Sequence, residues 1–252
     1  MTQQPITIAT YNIHKGMSAL NRQMQVQQIA SALETLSPDL LFLQEVQGAN
    51  LKRAQKFNYF PELSQYDYFA REMGLNASYG LNAHYHTHKH HGNALLSRYK
   101  IKEKTNLNIT LHKHEQRGVL HCEVLPQGWD RPIVALCAHF NLRQKDRAVQ
   151  YAVLSDYIKH KVDPQLPLIL AGDFNDWRHQ ASEQLMPLLD LEEAFMTKHG
   201  AYPKSFPARA PMLSLDRIYI RNLQIVDAQV HKGLPWQRLS DHLPLSATVL
   251  PA

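Results

Sequence analysis

The stretch LILAGDFND, residues 168–176, decides how the chain is read. Residues 168–171 are a short apolar run that stops on Gly172-Asp173, with Asn175 two residues on. An apolar run of roughly four to eight residues, closed by turn-forming polar types, is a buried strand that delivers a carboxylate to its end.

Working outward, the same pattern recurs. Residues 6–13 (ITIATYNI) alternate apolar and small polar types, and Asn12 lies at the end of that strand. Residues 40–46 (LLFLQEV) present Glu45, residues 133–140 present His139, Asp216 opens the strand at 217–220, and Asp241-His242 precede the strand at 246–250. Further strands are expected at 94–97, 118–124 and 224–230. Val26, Ile29, Ala30 and Leu33 recur at helical spacing and predict a helix over 25–36, stopped by Ser37-Pro38. A second helix is expected over 145–160, with Tyr151, Leu154, Ser155 and Ile158 inward and Lys145, Asp146, Arg147 and Gln150 on a solvated face. A third is expected over 182–189. Many strands, few helices and consecutive strands in the middle predict an α/β protein of mixed sheets packed on each other with helices outside. No repeat or linker divides the chain, so residues 1–252 are expected to form one domain.

Composition narrows the function. The 252 residues are 44% apolar, with 10 glycines and 14 prolines, which excludes global disorder and low complexity. No apolar run approaches the ~20 residues of a membrane span. The start, MTQQPITIAT, lacks a basic segment and an apolar core, so no signal peptide is expected. Net charge is +5, which mildly favours anionic partners. Cys122 and Cys137 lack metal-ligand spacing and read as small hydrophobes, consistent with a reducing, cytoplasmic setting.

The residues at the strand mouths carry the chemistry. Four carboxylates (Glu45, Asp173, Asp216, Asp241), two amides (Asn12, Asn175) and two imidazoles (His139, His242) form a set rich in hard oxygen donors, suited to Mg²⁺ or Mn²⁺. A carboxylate beside an amide can hold and deprotonate water, and histidines can donate to phosphate oxygens. The inventory fits metal-assisted hydrolysis of a phosphoester.

TYNIH, LLFLQEV, GNALLSR, AHFNL, GDFND, LDRIYI and SDHLPL, in this order from residue 7 to 247, resemble the endonuclease/exonuclease/phosphatase superfamily, particularly its compact bacterial members. That resemblance implies a four-layer α/β sandwich, two mixed sheets face to face with helices outside. It implies Glu45 as principal metal ligand, with Asn12 beside it contacting metal or phosphate and Asp241 helping to hold the metal. Asp173 matches the base that activates water, and Asn175 the amide that orients water or phosphate. His242 matches the histidine that stabilises the pentacovalent phosphorus, and Asp216 its carboxylate partner. His139 matches a second histidine of the deoxyribonuclease, sphingomyelinase and inositol-phosphatase branches.

Departures narrow the choice. NIHKG places His14 where abasic-site endonucleases carry an acidic residue, SLDRIYI lacks the W-x-G-D-R of inositol polyphosphate 5-phosphatases, and no leucine-rich repeats precede the domain. Candidate substrate contacts are His14, Asn93 in HGN, Arg117, Arg143, Arg178 and Trp177, with Asn93 equally readable as a turn and the arginines as surface residues. Gly92 would let backbone approach a ligand. Trp236 walls the cleft or packs beneath it. Residues 84–91 (HYHTHKHH) read as a solvated loop near the mouth, with His84, His86, His88 and His90 on one face if extended. Lys100, Lys102 and Lys104 read as the solvent face of an edge strand. The expected activity is a Mg²⁺-dependent phosphodiesterase acting on nucleic acid or a phospholipid-type headgroup, with no obligate protein partner. The alternative is a phospholigand-binding module of the same fold that has lost turnover.

Overall fold

Strands β1 (Ile6–Asn12) and β2 (Leu40–Asn50) run parallel, and helix α1 (Val26–Glu34) lies between them in the chain. The structure is a computed structural model that describes residues 3–20, 23–50, 64–86 and 89–252. After α2 (Gln65–Met73), β3 (Asn76–His86) and β4 (Lys89–Ser97) extend this sheet, and the late strands β11 (Leu223–Val230) and β12 (Leu245–Pro251) return to flank β1. The resulting order is β11-β12-β1-β2-β4-β3.

The second sheet repeats the plan. β5 (Ile101–Asn108), β6 (Gly118–Val124), β7 (Ile133–His139), β8 (Leu168–Asp173), β10 (Asp216–Arg221) and the two-residue β9 (Glu192–Glu193) lie in the order β5-β6-β7-β8-β10-β9. Only β7 and β8 are parallel, connected through α3 (Gln144–Lys161). Helices α4 (Gln180–Leu189), α5 (Ala194–His199) and α6 (Trp236–Leu239) complete the described helices.

The apolar residues explain the layering. Ile6, Ile8, Leu40, Phe42 and Leu95 of the first sheet meet Leu120, Ile133, Cys137, Ile169 and Ile218 of the second in one buried cluster. A second cluster joins Ala9, Tyr11, Leu41 and Leu43 to Ile29 and Leu33 of α1 and Phe69 of α2. A third joins Val134, Leu136 and Leu170 to Tyr151, Leu154 and Ile158 of α3. Strand side chains alternate faces, so each central strand feeds two clusters, and full burial of one Ile or Leu stabilises by about 1.5–3 kcal/mol. The four-layer sandwich is the one expected. No helix among the described residues is long and apolar enough to cross a membrane.

One expectation about α3 fails. Arg147 and Gln150 are fully buried, not solvated. Arg147 donates from Nη1 to the carbonyls of Leu142 (2.6 Å) and Asn141 (3.3 Å), and its Nη2 lies 3.6 Å from Asp176 Oδ1. Gln150 accepts from Asn141 N and donates to Ile109 O, both within 2.9 Å. These side chains bind loop backbone that would otherwise be buried without partners, a role that helical periodicity does not reveal. The lysine expectation fares better: Lys102 and Lys104 are exposed on the edge strand β5 and pair with Glu123.

Candidate active site

Sheet register assembles the site. His139, Asp173 and Asp216 stand side by side across β7, β8 and β10, because His139 pairs with Asp173 and Asp173 with Asp216. Gly172 makes this packing feasible: its φ is +149°, and a Cβ there would fall 1.9 Å from Ala138 O. The first sheet supplies Asn12 from the carboxyl end of β1 and Glu45 from within β2. An irregularity in β2 between Leu43 and Val46 breaks the pairing with β4 at Glu45, whose φ is +57°. Such a bulge turns a side chain out of the ladder and toward the cleft. The sheets are joined here by Asn12 Nδ2, which donates to Asp173 Oδ2 at 3.0 Å.

His242, on the loop before β12, bridges two carboxylates. Its Nδ1 lies 2.8 Å from Asp216 Oδ2 and its Nε2 lies 3.7 Å from Asp173 Oδ2. Burial works against its charge, but Asp216 and then Asp173 outweigh it and push its pKa up to about 10, so the ring is an imidazolium at neutral pH. His139 goes the other way. Its Nε2 is 3.5 Å from Asp173 Oδ2, yet burial, with Arg117 nearby, holds its pKa well below the ordinary value, and it is neutral. Burial raises Asp173 to about 6, with His242 opposing and Asp216 adding to the rise. Ser205 donates to Asp216 Oδ2 at 2.6 Å, the same oxygen that faces His242.

The acidic end of the cleft lies beside this dyad. Glu45 Oε2 is 2.7 Å from Lys15 Nζ, and Asp241 Oδ2 is 3.2 Å from His14 Nδ1. Burial raises the Glu45 pKa, but the Lys15 ammonium beside it overcomes that, and the pKa is brought to about 2. The donor set of Glu45, Asn12 and Asp241 is hard oxygen, and a cationic ammonium already stands on Glu45; both features suit a divalent cation. Asp173, Asp216 and His242 also converge, with one ligand atom from each within 4.8 Å of the others. There the imidazolium itself supplies the positive charge, so this triad is better suited to proton and phosphate chemistry than to a metal.

The cleft has a volume of about 340 Å³ and is lined by Asn12, His14, Glu45, Arg117, His139, Leu142, Asp173, Asn175, Trp177, Phe206, Leu213, Leu215, Asp241 and His242. A larger cavity of about 730 Å³ between Leu20, Arg209, Leu234 and Arg238 has no carboxylate or imidazole in its wall among the described residues. Asn175, at φ +50°, donates its backbone N–H to Asp173 Oδ1 and its Nδ2 to Phe140 O. Arg117 lines the cleft with its guanidinium on Phe140 O and Glu115, and Trp177 lies 5.4 Å from the Arg147 guanidinium.

Other candidates fall elsewhere. Asn93 is fully buried and donates Nδ2 to Gly118 O and Cys137 O, tying the sheets together. A Cβ on Gly92 would meet Gly80 O at 1.9 Å, so that glycine serves the approach of β3 rather than a ligand. Arg143 and Arg178 are exposed outside the cleft lining, Arg178 donating to Gln144. Trp236 is buried edge-on against Tyr11, 5.8 Å between centroids, beneath the site. The histidine tract is not the expected loop: its described residues belong to the paired strands β3 and β4, where His84 and His90 are cross-strand partners and His90 Nδ1 sits 3.1 Å from the Tyr79 hydroxyl. Thr87 and His88 lie outside the described residues. The sequence reading missed Lys15, Ser205, Phe206, Leu213 and Leu215; only Lys15, a cation directly after NIH, left a legible signal.

Residues 9–242 match the Endonuclease/Exonuclease/phosphatase family. The Escherichia coli K12 protein YbhP, itself described as uncharacterized, is 39% identical over 252 residues covering 98% of each chain. An endonuclease/exonuclease/phosphatase from Beutenbergia cavernae superposes with a TM-score of 0.78 at 16% identity, over 99% of this chain and 72% of that one. D. rerio TDP2, complexed with single strand DNA product, gives 0.70 at 16% identity, over 98% and 99% of the two chains. At such low identity the solved structures establish the fold. The match over nearly the whole length places the chain as a member of the endonuclease/exonuclease/phosphatase family, generally metal-dependent phosphoester hydrolases.

Proposed function

We propose that the protein is a Mg²⁺-dependent phosphodiesterase, with Mn²⁺ able to substitute, that acts by direct attack of water. The observation that carries this is the placement of Asp173. It is buried between an imidazolium and a neutral imidazole, held by Asn12 across the sheet seam, with a pKa raised to about 6. A base acts best with a pKa near the working pH, and this carboxylate is brought there by burial.

Asn12, Glu45 and Asp241 would hold the divalent ion. When bound, it neutralises charge on a phosphate oxygen. Asp173 accepts the proton of the attacking water while Asn175 orients it. The His242 imidazolium, fixed by Asp216, donates to a non-bridging oxygen as its charge grows, and neutral His139 donates from Nε2 on the Asp173 side. The P–O bond to the leaving group breaks, the departing alkoxide takes a proton from solvent, and a phosphomonoester and an alcohol are released. Arg117 and Trp177 form the cleft wall that the substrate meets. The binding-only alternative requires a substituted catalytic position, and every one of these residues is in place.

The test is hydrolysis of bis-p-nitrophenyl phosphate with Mg²⁺ by wild type and Asp173→Ala. Expected is a loss of about 10³-fold or more; equal release from both proteins refutes the mechanism. A panel of DNA, RNA, phosphoinositides and lysophospholipids then assigns the substrate.

A further inference from the structure

The turn after β1 carries a feature that hydrolysis does not use. His14, Lys15 and Gly16 are consecutive residues with positive φ, at 46°, 58° and 68°. For non-glycine residues this backbone is costly and persists only where the surroundings hold it. Here they do. The His14 N–H donates to Asn12 Oδ1 at 3.0 Å, Gln65 Nε2 of α2 donates to Lys15 O at 2.9 Å, and Gly16 leaves room for Gln65 and Val26, either of which a Cβ would meet at 2.5 Å. The result is that two adjacent side chains reach two acidic residues of the cleft, Lys15 on Glu45 and His14 on Asp241.

We propose that Lys15 is the built-in counter-cation of the metal seat: its ammonium occupies Glu45 until a divalent ion displaces it, so that metal affinity is set by competition with the chain's own lysine. This rests on the proposed metal site. Two charges cannot share one carboxylate oxygen without repulsion, and the lysine stem has the freedom to withdraw. Lys15 is partly exposed, with its side chain 30% accessible, so solvent can receive the displaced ammonium. The turn backbone need not move.

Calorimetric titration with Mg²⁺ and Mn²⁺ tests this on wild type, Lys15→Met and Lys15→Arg. Lys15→Met should bind metal about tenfold more tightly, the equivalent of about 1.4 kcal/mol, and show a larger rise in Tm on metal addition. Lys15→Arg should stay within about threefold of wild type, because the charge is kept. In the wild type, acylation of Lys15 followed by mass spectrometry should accelerate when metal is added, a readout that needs no variant to fold. Unchanged or weaker affinity in Lys15→Met, or acylation indifferent to metal, overturns the proposal while leaving the metal site standing. Failure of wild type to bind either ion overturns both.

Discussion

Replacing Asp216 with asparagine should convert His242 from a permanently charged ring into one that titrates near neutrality. Asp216 Oδ2 lies 2.8 Å from His242 Nδ1, whereas the other carboxylate, on Asp173, lies 3.7 Å from Nε2. With charge centres about 4 Å apart and an effective dielectric of about 20, the lost attraction is about 4 kcal/mol, or about three pKa units. The pKa of His242, about 10 in the intact network, should therefore fall to about 7 in Asp216→Asn. Long-range ¹H–¹⁵N NMR of the imidazoles of the metal-free protein measures this directly, and kcat/KM against pH should show its alkaline limb moving by the same amount. The stability consequence has a definite sign. A histidine whose folded pKa is raised contributes stability fully present below about 6.5 and lost as pH rises toward about 10. Tm of the wild type should therefore decline across that window more steeply than Tm of Asp216→Asn. A wild-type His242 titrating near 6.5, or a variant with an unmoved titration, would refute the electrostatic account of the dyad.

Other predictions follow from single contacts. Gly172→Ala forces a Cβ to 1.9 Å from Ala138 O at φ +149° and should cost about 3 kcal/mol in denaturant unfolding, with activity lost through displacement of Asp173. Arg147→Leu strands the buried Asp176 carboxylate and should cost about 3 kcal/mol by the same assay, with Trp177 fluorescence shifting as its guanidinium neighbour is lost. Cys122 and Cys137 are buried with thiols pushed up to about 12, so a thiol reagent should label them only on unfolding; fast labelling of native protein would contradict the core described above.

Most of the sandwich is legible in the sequence because its central strands are apolar on both faces. β6 has the expected bounds, and β1, β2, β7, β8, β10 and β12 differ mainly at their ends. What escapes is where side chains are polar or the element is exposed. β3, with sequence NASYGLNAHYH at a sheet edge, lacks a sharp alternation, and α2 (QYDYFAREM) buries only Gln65 and Phe69. Arg147 and Gln150 mislead for the opposite reason: their hydrogen bonds to loop carbonyls and amides make burial favourable for polar groups. The site is legible as a set because polar residues at the mouths of apolar strands are conspicuous. Its electrostatics are not, since the opposite shifts of His139 and His242 depend on which imidazole stands beside Asp216. Asn93 shows the limit: a polar residue beside a strand-forming glycine can serve the seam between sheets as readily as a phosphate.

Each sheet contains one parallel pair, β1–β2 and β7–β8, with a helix between its strands in the chain. The two units resemble one another: Asn12 and His139 end the leading strands, while in the following ones Asp173 ends β8 and Glu45 stands at the irregularity within β2. Under the proposed function these are two half-sites held mouth to mouth, one half furnishing the seat for a cation and the other the acceptor for a proton. The Asn12–Asp173 hydrogen bond spans the two halves, so a shift of one layer on the other would part the proposed cation seat from the proposed base.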